Sequence, residues 1–448
     1  MDIVNNIEIW QWILVIGSSI VLLLISPVAK TASDFFKAVG KNNKTASLWL
    51  LTSSLVISWI FAKSITNAAN LGLKYGIVGG VAYATYYLSF LFAGIVIYQL
   101  RTKGKFESIH HFLNEKYGKS ALILFSVLIA FRLFNEVWSN TMVIGSYFGE
   151  AGSWPYYLAI IVFTVLTLAY SIKGGLKSSL LTDGIQMILF GGLLLMILLI
   201  ILPESESATE LLHADWTMTG GLDLLLVALL QVFSYPFHDP VMTDRGFITD
   251  AKTMLKAFFL AVPIGFAAIV LFSLIGVYAR QIGLSGQAAV EVGKMLGGIL
   301  MLAINFIMIT SASSTLDSAF ASFSKLAVKD LSLVKVSVSN GRLIMIIVAV
   351  AGTLPVFFGP EILSATTISG TMVIGLAPVF IFWNKPMNKS AFVLTVFTGI
   401  VFGVWYATGR FPETLIFVQS DYGALLSVNF IGTIACFIMF FGSNLLRK

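Results

Sequence analysis

Between Thr310 and Ser318, in the stretch ITSASSTLDSAF (309–320), seven of nine positions carry a hydroxyl or a carboxylate. The run directly before it, LGGILMLAINFIM, is apolar throughout apart from one asparagine. Read as a helix, Ile307, Thr310, Ser311, Ser314 and Ser318 fall at helical spacings and share one face. Hydroxyl oxygens offer lone pairs to a small hard cation, and a distorted helix adds backbone carbonyls. Such a face beside a helix break can cage sodium weakly enough to release it. The same residues have a plainer use, because Ser and Thr in membrane helices bond their own i−4 carbonyl and let helices pack closely. Spacing alone leaves both readings open.

Six charged positions extend the chemistry. Asp183, in GGLKSSLLTDGIQ (174–186), sits two turns into an apolar helix beside Thr182 and Gln186. A carboxylate at that depth is costly and points to function, with interfacial burial as the alternative. Asp317 is similar and nearer the cytoplasmic half. Lys63 lies centrally in SSLVISWIFAKSITNAANLG (53–72), with Asn67 and Asn70 on its own face, and must meet a cavity or a partner rather than lipid. It either attracts a carboxylate on a solute or pairs with Glu136 or Asp239 to fix helix packing. Arg132 and Glu136 lie together in FRLFNEVWSN (131–140), and His238 and Asp239 in SYPFHDP (234–240).

The elements that position these residues are membrane helices. Hydrophobic residues make up 57% of the 448 positions and charged residues 11%, too few charges to cover a soluble domain of this size. Spans of roughly 20 apolar residues can be placed at 11–28, 46–73, 78–99, 120–148, 155–172, 178–202, 221–243, 254–279, 295–324, 342–358, 361–383, 390–407 and 425–445. That makes thirteen, with no gap long enough for a soluble domain. The first carries Asp2 and Glu8 but no Lys or Arg ahead of it and no A-x-A site after it, so it is expected to be a retained helix rather than a signal peptide. With the N-terminus outside and the C-terminus inside, 22 of the 28 Lys and Arg fall in cytoplasmic segments, Arg245 among them. The opposite orientation inverts the positive-inside rule in nearly every loop. This distribution, rather than nucleic acid, accounts for the net charge of +6. The single cysteine, Cys436, excludes an intramolecular disulfide, and the four histidines have no metal-ligand spacing.

After the leading helix, five spans over 46–202 precede five over 221–383, with two more over 390–445. An odd count inverts the second block relative to the first, the arrangement of secondary transporters that bind at paired discontinuous helices. The first helix of each block is the candidate: 53–72 keeps polar residues through its middle, and 234–240 holds Pro236 and Pro240, each lacking a backbone donor.

Three motifs resemble the sodium:solute symporter family, relatives of bacterial proline, galactose and sialic acid transporters. They are KTASDFFKAVGKNNK (30–44), GGLKSSLLTDGIQ and TSASSTLDSAF. The resemblance covers essentially the whole chain. It implies an all-α polytopic membrane protein with a LeuT-type 5+5 inverted repeat, one extra N-terminal helix and two extra C-terminal helices, in a bacterial inner (plasma) membrane. It implies a principal sodium site formed by Thr310, Ser311 and the Ile307 carbonyl, with Ser54 and Ile57 supplying carbonyls from the first core helix. Asp183, Ser311 and Ser314 match the second sodium site that some members have, so one or two Na+ are expected. The solute would lie between the first and sixth core helices, against Ser58, Lys63, Asn67, Tyr235, His238 and Asp239. Lys63 is a departure from the family pattern.

The expected function is sodium-coupled symport of a small polar organic solute, one that carries a carboxylate if Lys63 binds it, by alternating access. A proton-coupled or uncoupled transporter in which Lys63 replaces an ion is the alternative. A membrane sensor of the same fold would be expected to carry a signalling domain after residue 448. An enzyme is not expected, since nucleophile, metal and acid–base constellations are all missing.

Overall fold

The computed structural model describes residues 7–38, 45–205, 211, 213–359 and 369–446. Among these residues ten helices are long and apolar enough to cross a membrane, or eleven if one bent pair counts as a single span. The chain runs through α1 (Ile7–Ile25), α2 (Leu48–Trp59), α3 (Ala62–Tyr75), α4 (Ile77–Thr102), α5 (Lys119–Gly145), α6 (Trp154–Gly174) and α7 (Leu176–Glu204). It continues through α8 (Asp223–Gln231), α9 (Pro240–Arg245), α10 (Ala251–Gln281), α11 (Gly298–Lys325), α12 (Val338–Thr353), α13 (Leu376–Ile381), α14 (Ser390–Ala407) and α15 (Gly423–Gly442).

Burial sorts these helices into layers. α7 turns Ile188, Leu195, Leu199 and Leu202 outward, with Ile188 at 77% exposure, and turns Asp183, Gln186, Phe190, Leu194 and Ile197 inward. An outer face this apolar suits lipid. α11 is enclosed instead: every residue from Ile307 to Ser322 is buried, including the whole hydroxyl cluster. It packs against α5, α7 and α2. α3 and α10 approach closely, because a side chain at Gly72 would strike the Ser273 backbone and one at Gly276 the Ala69 carbonyl. Small residues are what allow membrane helices this contact.

Two of the expected spans are interrupted, the first in the apolar stretch between Ser58 and Lys63 and the second at its prolines. The span at 46–73 is α2 and α3, bent by 61° at Ile60 and Phe61. The expected span at 221–243 is not one continuous helix. α8 stops at Gln231, Tyr235–His238 forms a 3-10 turn, and α9 starts at Pro240. Asp239 caps α9, its Oδ1 accepting from Val241 N at 2.9 Å and Met242 N at 3.3 Å. Pro240 occupies a first-turn position, where its missing N–H is not needed. The expected span at 361–383 lies partly outside the described residues, as do positions 39–44 of the first motif.

Candidate functional site

Where α2 ends, its last carbonyls have no i+4 N–H to accept from. Two of them find side chains: Trp59 O accepts from Tyr87 Oη at 2.9 Å, and Ile60 O accepts from Ser311 Oγ. The hydroxyl face of α11 therefore does meet the break, through Ser311. Its neighbour Thr310 donates back to Phe306 O at 2.8 Å and lines a groove of about 300 Å³ with Ser313, Gln186 and residues of α1. Ile307 is buried one turn before Ser311. The α2 register differs from the one expected. The carbonyl facing Ser311 belongs to Ile60, three residues past Ile57. The amphipathic pattern does not mark where a proline-free helix stops, which is what decides which carbonyls come free.

Ser54 belongs to a second cluster. Its Oγ donates to Asp183 Oδ2 at 2.5 Å, and Ser314 Oγ donates to Asp183 Oδ1 at 2.6 Å. Of the three residues expected at a second sodium site, Asp183 and Ser314 are hydrogen-bonded to each other, while Ser311 is bonded at the break. Ser58, expected among the solute contacts, also faces this cluster, 3.3 Å from Asp183 Oδ2 and 3.2 Å from Ser318 Oγ. At its centre lies Arg245, with Nη2 2.9 Å from Asp183 Oδ2 and both side chains fully buried. Asp317 adjoins, accepting from Ser179 at 2.9 Å and Thr182 at 2.8 Å.

Arg245 is the member of this cluster that sequence reasoning missed, having been counted among the cytoplasmic loop charges. The available signal was its distance from Pro240. A helix restarting there is only six residues long, and its last side chain turns back into the protein.

A third group joins the two breaks. Lys63 Nζ donates to Glu136 Oε1 at 2.8 Å and to Ser139 Oγ at 3.2 Å. Arg132 pairs with the same Glu136 and, at 3.3 Å, with Asp239, which also accepts from Trp59 Nε1 at 2.9 Å. All four charged side chains are at most 3% exposed. Of the two readings of Lys63, the structure has the ion pair with Glu136. Beside this group, Trp59, Phe61, Ser64, Tyr83, Tyr86, Tyr87 and Tyr235 line a cavity of about 20 Å³, room for about one water. Asn67 reaches Tyr83 Oη at 3.4 Å. His238 Nδ1 lies 2.5 Å from Tyr235 O, while its Nε2 has no hydrogen-bond partner. Asn70 turns away to accept from Ala288 N at 3.0 Å.

Two interrupted helices meeting at a buried polar centre in a polytopic helical chain are the arrangement at which secondary transporters place their binding sites. The fold agrees across nearly its full length with solved transporters. A Na+-coupled sialic acid symporter in a substrate-bound outward-open state superposes with a TM-score of 0.73 at 17% identity, covering 97% of each chain. Mhp1, a nucleobase-cation-symport-1 family transporter in a closed conformation, superposes with a TM-score of 0.59 at 12% identity, covering 94% of each. A urea-proton symporter of Oryza sativa subsp. japonica is 22% identical over 63% of this chain. The chain spans about half the length of that relative, 46% of it. The model of the sodium:solute symporter family matches residues 42–214. The fold agreement with the sialic acid symporter extends beyond those residues, over 97% of the chain.

Proposed function

We propose that the chain is a sodium-coupled symporter of a small, uncharged polar solute. The observation that carries the reading is the meeting of Ser311 Oγ with the carbonyl of Ile60 at the α2–α3 break. A hydroxyl from α11 and a backbone oxygen from a broken helix are the two kinds of ligand an alkali cation needs, and here they come from the two elements whose relative motion opens the transporter. Sodium held between them would tie α2 to α11 and prepare the solute site, with the Ile57 and Ile307 carbonyls and the Thr310 hydroxyl as its proposed further ligands. The repeat blocks 46–202 and 221–383 are proposed to rock about this site, with the N-terminus outside and the C-terminus inside, as the charge distribution suggests.

The solute class follows from the charge balance. Lys63 is engaged by Glu136, and Arg132 by Glu136 and Asp239, so the charges at the breaks satisfy one another. A carboxylate on the solute would have to displace one of these pairs. The aromatic hydroxyl-lined cavity suits a compact neutral hydrogen-bonding molecule, and it must widen before one enters. Proton coupling is a second reading, favoured by the name of the rice relative.

The test is uptake into proteoliposomes of radiolabelled urea, a neutral amide and a carboxylate. Each is measured with an inward sodium gradient, with choline in its place, and with an imposed proton gradient. Sodium stimulation of a neutral solute, abolished in Ser311→Ala with folded protein retained, is the expected result. Stimulation by the proton gradient alone would replace sodium in the proposal, and uptake confined to the carboxylate would overturn the solute class.

A further inference from the structure

Asp183 gathers the donors that a second transported cation would use, and the protein fills that position itself. The guanidinium of Arg245 lies among Ser54 and Ser58 of α2, Ser179 and Asp183 of α7, and Ser318 of α11. Its Nη2 is 2.8 Å from Ser318 Oγ, 2.9 Å from Asp183 Oδ2, 3.1 Å from Ser58 Oγ and 3.4 Å from Ser179 Oγ. Its Nε donates to Ser54 Oγ at 2.5 Å, and its Nη1 to Val241 O at 2.9 Å. One carboxylate and four hydroxyls from three helices therefore converge on one positive group, and Arg245, Asp183 and all four serines are fully buried or nearly so.

We propose that Arg245 is a tethered cation standing in for a second transported ion, so that Asp183 takes no sodium in the native protein. An arginine does not lose its proton under physiological conditions, and its Nε, Nη1 and Nη2 all donate to oxygens held by α2, α7, α9 and α11. Sodium entering beside Asp183 would meet a second positive charge across a few ångströms of low-dielectric interior. The neighbouring Asp317 does not reopen the position, because its oxygens accept from the hydroxyls of Ser179, Thr182 and Ser318. Any coupling ion is then confined to the α2–α11 break. The inference rests on the ion-coupled reading above for its consequence, but its test does not require that reading to hold.

The experiment is equilibrium binding of radiolabelled sodium to purified full-length protein, counted per chain. Arg245→Gln leaves Asp183 and Asp317 without a cation and is expected to bind one more sodium than the wild type. Asp183→Asn in the Arg245→Gln background is expected to remove the gain. Arg245→Lys, which retains the charge, is expected to show none. If Arg245→Gln does not fold, Arg245→Gln/Asp317→Asn removes one charge of each sign, retains Asp183 and reads the same gain. Two outcomes overturn the proposal: a folded glutamine variant that binds no additional sodium, or wild-type binding that is already reduced by Asp183→Asn alone. A wild type that binds no sodium, with a glutamine variant that binds one, would remove sodium from the break while supporting the role of Arg245.

Discussion

Glu136 receives both Lys63 and Arg132 in a site closed to solvent, and its loss is therefore the most damaging single change at the breaks. Removing one partner of a buried pair leaves an uncompensated charge and typically costs about 3–5 kcal/mol. Glu136→Gln is expected to lower stability by that order, read as a fall in the unfolding midpoint in detergent. Lys63→Met/Glu136→Gln should recover much of the loss, since the amine is removed with its partner. A single-variant midpoint equal to that of the wild type would mean that the pair carries no stability. At this scale the sequence was most legible where a charge interrupted an apolar run: Lys63 and Asp183 declare themselves because lipid cannot hold them. Ser311 and Ser314 were legible as one face, although the structure sends them to different partners. Arg245 was not legible, because the positive-inside rule treats any cation near the end of a span as solvated. Only the short restart at Pro240 carries it inward.

The two broken helices stop for different physical reasons. In the second, Pro236 and Pro240 remove donors and Asp239 supplies the new cap, all of which can be read from residue types. The first holds no proline between Ser53 and Leu71. Its break is supported from outside, by Tyr87 on the Trp59 carbonyl and Ser311 on the Ile60 carbonyl. Partners that distant in sequence cannot be inferred from the helix itself, which is why the carbonyl register came out three residues away from expectation. Tyr87→Phe leaves the Trp59 carbonyl buried without its donor, for a cost of about 1–3 kcal/mol. The expected result is a lower unfolding midpoint with the overall helical content retained in far-ultraviolet circular dichroism. An unchanged midpoint would mean that another donor replaces the tyrosine.

Across the whole molecule, hydropathy located most of the helices, because a bilayer allows few ways to satisfy a backbone. What it could not supply is which faces touch. α3 and α10 meet through Gly72 and Gly276, positions whose importance depends on a helix about 200 residues away in the chain. Gly276→Val would drive a branched side chain into the Ala69 carbonyl and the Leu73 backbone. Overpacking of this kind typically costs about 1–3 kcal/mol and more against rigid backbone. The expected outcome is a reduced monodisperse fraction in size-exclusion chromatography, with Gly276→Ala milder. A normal elution profile for the valine variant would show that the helices can separate.

The ion-paired group of Lys63, Glu136, Arg132 and Asp239 has one more consequence, and it is electrical. Two positive and two negative side chains sum to zero, so this part of the protein can be carried through the membrane field without net electrical work. A single uncompensated charge crossing the same field would exchange about 2.3 kcal/mol per 100 mV. With the quartet neutral, the voltage dependence of transport should reflect the carried ions and whatever share of the field Arg245 and its carboxylates traverse. Under the proposed function, transient charge movement recorded without solute should then contain no contribution from the quartet.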